Sequence, residues 1–210
     1  LFSSPGIETM KFTRLSVLSY VACCSVLFQS AVFAIEQPIN GKGGGSLETG
    51  LSLPLLDIQA GGEIHIYNDN IVEEPWSSRS FEGKGKIQLV QYVAANRGAA
   101  NPNKMFTDAL IEKQYSSEDL ATTIIVHMAD TMSIAKGYIV KKMDKKNARH
   151  QTINFVIDDD GVGLKRWGMK HKSYAVIVLD ASGKVLFAKD GPLSRTEIES
   201  TIRLIDQQIS

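Results

Sequence analysis

The chain has 210 residues, enough for one domain with a proper core and little more. Basic residues (Lys plus Arg) and acidic residues (Asp plus Glu) each number 23, so the net charge at pH 7 is zero and nothing draws the chain generally toward nucleic acid or an anionic bilayer. Its two cysteines, Cys23 and Cys24, both lie in an N-terminal apolar run, so residues 35–210 hold no thiol and no thiol exchange can begin there.

Residues 1–9 precede Met10 and read as upstream translation. From Met10 the order is Lys11 and Arg14, an apolar stretch over 15–33, then Val32-Phe33-Ala34 with small residues where a signal peptidase reads. This predicts cleavage after Ala34, export, a periplasmic location and no stable membrane insertion afterwards. A lipid anchor on Cys23 fits poorly, because Tyr20 stands where a small aliphatic residue is wanted and an apolar stretch follows. Residues 35–52 include Gly41-Lys42-Gly43-Gly44-Gly45-Ser46 and read as a flexible leader, leaving 53–210 as the folded domain. The glycine run lacks the spacing and the Lys-Ser/Thr ending of a phosphate loop.

Within the domain, 55–59 and 64–67 read as a hairpin turning at Gly61-Gly62. Residues 87–94 form a largely buried strand, and Pro102 opens a helix reaching about Gln114. The β-branched run 122–128 predicts a central strand, and 133–147 a helix with an apolar stripe under a basic face. A strand over 152–157 ends in the turn Asp158-Asp159-Asp160-Gly161, with a short helical piece over 164–168. Residues 174–179 and 185–188 pair as a hairpin, and Ser194-Arg195-Thr196-Glu197 is a capping box for a terminal helix. Alternating strands and helices closed by a hairpin and a helix imply an α/β fold, a mixed sheet flanked by helices.

Little metal or acid–base chemistry stands out, and no cofactor is expected. His65, His127, His150 and His171 share no helix face or short loop; His127 ends a central strand, where a histidine satisfied by its surroundings is the simpler reading. Asp158 to Gly161 lacks the alternation and terminal glutamate of a calcium loop, since Met169 stands at the glutamate position. Lys141, Lys142, Lys145, Lys146 and Arg149 read as a solvated helix face.

Ser80-Phe81-Glu82-Gly83-Lys84 running into a buried strand, Thr122 to Val126, Asn154 to Asp158, Trp167-Gly168, and Ala175 to Val185 followed by Ala188-Lys189-Asp190-Gly191 together resemble the YtfJ family of exported bacterial thioredoxin-like proteins. The resemblance covers nearly all of the chain after the glycine leader and implies a single thioredoxin-like domain. Two departures from the redox pattern of that fold stand out. The loop that would carry the nucleophilic cysteine reads Ala95-Asn96-Arg97-Gly98-Ala99-Ala100-Asn101-Pro102, and Lys172-Ser173-Tyr174 takes the place of the usual cis-proline.

The former redox position is therefore the candidate ligand-binding site. Asn96, Arg97 and Asn101 offer donors near a helix N-terminus, Ser173 and Tyr174 face them, and Trp76 lines one side. No catalytic residue is assigned. Two functions stay open: a non-redox binding or accessory role toward a periplasmic protein or small ligand, or an enzyme or antioxidant working at the same place without a thiol. The fold alone does not choose between them.

Overall fold

In a computed structural model, the described residues are 47–67, 70–95, 101–128, 153–170, 172 and 174–209. The chain divides into residues 1–34 and 35–210, and all described residues belong to the second unit. The predicted signal segment, the Gly41 to Ser46 run, the helix over 133–147 and its basic cluster lie outside the described residues.

Seven strands form one mixed sheet: β1 (Asp57–Tyr67), β2 (Asn70–Ser77), β3 (Ile87–Ala94), β4 (Leu120–His127), β5 (Ile153–Asp158), β6 (Tyr174–Leu179) and β7 (Val185–Asp190), in the order β2-β1-β5-β4-β3-β6-β7. The central strands β5, β4 and β3 run parallel, and β1 and β6 flank them antiparallel. Strands buried on both faces read as continuous apolar runs, and β6 fits, with every residue but the first buried. A 3-10 turn follows β2 (Ser78–Phe81), and the helices are α1 (Lys104–Lys113), α2 (Val162–Arg166) and α3 (Arg195–Ile209).

One face of the sheet packs Val90, Tyr92, Ile125, Val156 and Ile177 against Leu164, Trp167, Trp76, Phe81, Leu47 and Leu56. The other face packs Leu89, Val176, Val178 and Phe187 against Phe106 of α1 and Ile198, Ile202 and Ile205 of α3. Both bonds of the capping box are made: the Ser194 N–H donates to Glu197 Oε2 at 2.7 Å, and the Glu197 N–H to Ser194 Oγ at 3.3 Å.

The structure corrects three expectations. No turn occurs at Gly61-Gly62; β1 runs straight through both, and its hairpin partner β2 starts at Asn70. The glycines serve close approach, since a Cβ would stand 2.4 Å from Ile157 O at Gly61 and 1.9 Å from Glu74 O at Gly62, with φ of 93° and 98° at an irregular register. The helix after Pro102 begins at Lys104. Docked chain also starts earlier than Leu53: Leu47 is buried, the Gly50 N–H donates to Val185 O at 2.8 Å, and Ser52 bridges to Lys184.

Candidate functional site

The carboxyl ends of parallel strands are where open α/β sheets form sites, because the loops that leave them diverge. Here β3, β4 and β5 end at Ala94, His127 and Asp158, with Ala94 opposite His127 and His127 opposite Asp158. Two groups of side chains sit at this end, on opposite faces of the sheet.

On one face Tyr92, His127 and Asp158 are fully buried. The Tyr92 hydroxyl donates to Asp158 Oδ2 at 2.8 Å and accepts from the Leu164 N–H at 3.1 Å. The Val162 N–H donates to Asp158 Oδ1 at 2.9 Å and the Gly163 N–H to Oδ2 at 2.8 Å. These are the free N–H groups of the first turn of α2, so Asp158 does the work of a capping side chain from the strand before it. Burial, reinforced by the Asp158 charge and its hydrogen bond, holds the Tyr92 phenol protonated far above the usual tyrosine range. The ring of Tyr92 lies parallel to His127, centroids 5.2 Å apart, and edge-on to Trp167 at 5.8 Å. Trp167 in turn donates its Nε1–H to Pro54 O at 2.8 Å. With both oxygens engaged by backbone and phenol, Asp158 is a structural anchor.

On the other face, Tyr174 begins β6 opposite Val93, and the Asn101 side chain lies close enough to its hydroxyl to favour the phenolate. Burial pushes the Tyr174 phenol up to about 12, and the nearby Asn101 amide opposes that rise. Asn101 Oδ1 also accepts from the Asn103 N–H at 2.7 Å, turning the chain into α1. Asn103, itself buried, donates to Gly191 O at 3.2 Å and accepts from the Leu193 N–H at 2.7 Å, fastening the start of α1 to the loop after β7.

Of the six predicted site residues, the structure thus brings Asn101 and Tyr174 together. Asn96, Arg97 and Ser173 lie outside the described residues. Trp76 lies on the opposite face from Tyr174: it packs edge-on to Phe81 at 5.3 Å in the cluster that holds Val90 and Tyr92, and lines a separate cleft with Lys86 and Gln88. Sequence reasoning placed His127 near the site but missed its partners Tyr92 and Asp158. The available signal was a polar residue closing each of two strands directly after three apolar ones, His127 after Ile124 to Val126 and Asp158 after Phe155 to Ile157.

The bacterial protein family of unknown function designated YtfJ_HI0045 matches residues 47–208. The chain belongs to this family. A Haemophilus influenzae relative is 31% identical over 184 residues, covering 87% of this chain and 93% of the relative. The Escherichia coli protein YtfJ is 27% identical over 160 residues, covering 76% and 86%. Among solved structures, a thiol-disulfide isomerase from Corynebacterium glutamicum superposes with a TM-score of 0.53 at 12% identity, over 75% of this chain and 96% of that one. The reduced 2-Cys peroxiredoxin of Plasmodium vivax gives 0.51 at 14% identity, over 76% and 94%. At such identity these two likenesses show the fold alone: this YtfJ-family chain is thioredoxin-like.

Proposed function

We propose that this YtfJ-family protein is an exported, periplasmic, non-redox binding or accessory protein of the cell envelope. Its recognition surface is the former redox position, formed by Asn96, Arg97, Asn101, Ser173 and Tyr174. The observation that carries this reading is that residues 35–210 contain no cysteine, with Asn101 and Tyr174 brought near each other at the carboxyl ends of the parallel strands. Thiol–disulfide exchange needs an attacking sulfur, and a hydroxyl has no disulfide chemistry to replace it. A binder needs donors and shape, which an amide, a guanidinium and a phenol supply.

The competing reading is an enzyme or antioxidant with a non-thiol mechanism at the same place. To separate the two, the protein is expressed from its full sequence, cell fractions are probed for it, and the purified product is assayed for insulin-disulfide reduction and peroxide consumption. The proposal expects recovery in the periplasmic fraction, a new N-terminus after Ala34, and no turnover in either assay. Catalytic peroxide consumption that disappears in Tyr174→Phe would transfer the site to the enzyme reading.

A further inference from the structure

A concave site lies away from that surface, on the face of the sheet that carries Val90 and Ile125. It is a cleft of about 450 Å³, within the range of small-ligand pockets. Glu63 of β1, Asn154 of β5, Thr123 and Ala121 of β4, and Gln88 of β3 line it, with Lys86 and Lys84 at one end and Trp76 and Phe81 at its side. The register sets the shape. Glu63 lies opposite Val156, Asn154 opposite Thr123 and Gln88 opposite Ala121, so the polar residues form a diagonal row descending across four adjacent strands.

That row lies on the face that also packs Val90, Ile125, Val156 and Ile177, at the opposite end from Tyr92, His127 and Asp158. Gln88 and Thr123 are 4% and 2% exposed, a degree of burial that polar side chains rarely reach without a purpose. The Gln88 amide donates to Lys86 O at a long 3.3 Å. Lys86 Nζ donates to Ser117 O at 2.9 Å, which leaves two ammonium hydrogens for another acceptor. Lys84 stands between Gly83 and Gly85, both in the left-handed region at φ of 66° and 68°, where a Cβ would be strained. The cleft therefore has a carboxylate at one end, two ammonium groups at the other, and amide and hydroxyl groups between.

We infer that this cleft binds a short extended peptide with free termini, its ammonium at Glu63 and its carboxylate at Lys84 and Lys86. Side-chain amides that both donate and accept, as those of Gln88 and Asn154 do, match the alternating N–H and C=O groups of a peptide backbone. Length agrees as well. Three strand spacings across and six residues along put the Cα atoms of Glu63 and Lys86 about 24 Å apart. Side-chain reach from both ends leaves roughly 13 Å, the span of an extended chain of about four residues. The inference is independent of the proposed recognition surface, which lies at the other end of β3.

The test is calorimetric titration of the full chain with tetra-alanine in four forms: free, N-acetylated, C-amidated and doubly blocked. Free peptide is expected to bind, and each single block to weaken it about tenfold, because each removes one charge-assisted contact. In Glu63→Gln the penalty for acetylation should vanish while the penalty for amidation stays. In the Lys84→Gln, Lys86→Gln double variant the pattern should reverse. Equal binding of free and doubly blocked peptide, no binding at millimolar peptide, or binding of inorganic phosphate in place of peptide would each overturn the assignment. Because the blocked series is read on the unmodified protein, the result does not depend on how the variants fold.

Discussion

The hydroxyl of Tyr92, on β3, donates to the carboxylate of Asp158, at the end of β5, across 2.8 Å of fully buried space, although 66 residues separate them in the chain. The same carboxylate takes the first N–H groups of α2, so one contact ties two parallel strands to the helix that covers them. Tyr92→Phe keeps the ring against His127 and Trp167 but leaves one lobe of Asp158 short of a donor and the Leu164 N–H without its acceptor. A loss of about 1–3 kcal/mol in urea unfolding is expected, the usual cost of orphaning buried polar groups.

Gly163 of α2 presses on the same ring, and a Cβ there would fall 2.4 Å from Tyr92 Cε2. Glycine to alanine inside a helix ordinarily stabilises by about 0.5–1 kcal/mol. Here overpacking against a buried ring should reverse the sign and destabilise by about 1–3 kcal/mol. Thermal unfolding of Gly163→Ala beside the parent chain decides which effect wins.

The capping box supplies a pH signature. Burial alone would raise the Glu197 carboxyl, but hydrogen bonds from Lys189 and from Ser194 outweigh it and hold it below the usual glutamate value of 4.5. A carboxyl depressed in the folded state contributes stability above its unfolded pKa and loses it as pH falls through the folded one. Glu197→Gln should thus be less stable than the parent by about 1 kcal/mol near neutrality. The difference should begin to close near the unfolded value of 4.5 and vanish below the folded value. Denaturant titrations at a series of acidic pH values check the closure.

Tyr174 gives a spectroscopic handle on the proposed recognition surface. Its phenol should ionise at about 12 in an ultraviolet titration, identified by difference against Tyr174→Phe. Because the nearby Asn101 side chain lowers that value, Asn101→Ala should move the ionisation higher still. An unchanged or lower value in the variant would mean that the two side chains do not interact in solution.

Local signals carried much of the fold. Residues 87–94 and 174–179 were legible as strands because buried strands read as apolar runs, and the helix at Ser194 because its capping box is local in sequence. Gly61-Gly62 misled because paired glycines are a strong turn signal, whereas here they let β1 pass close to Ile157 and Glu74. Strand β2 was missed because Asn70, Glu73, Glu74 and Pro75 give it an exposed, polar edge with no apolar period. At the proposed site, the approach of Tyr174 to the loop that ends at Asn101 follows from the family likeness, since no local pattern in the sequence relates the two. Tyr92 with Asp158, and Trp76 with the cleft beside Lys86, depend on strand register, which no local pattern records.

The most direct test of the proposed recognition surface is capture from periplasmic extract on the immobilised protein, compared with an Arg97→Ala, Tyr174→Ala variant shown to unfold cooperatively. The account predicts a partner or small ligand retained by the parent and lost by the variant. Retention of the same set by both, or of nothing by either, would contradict it.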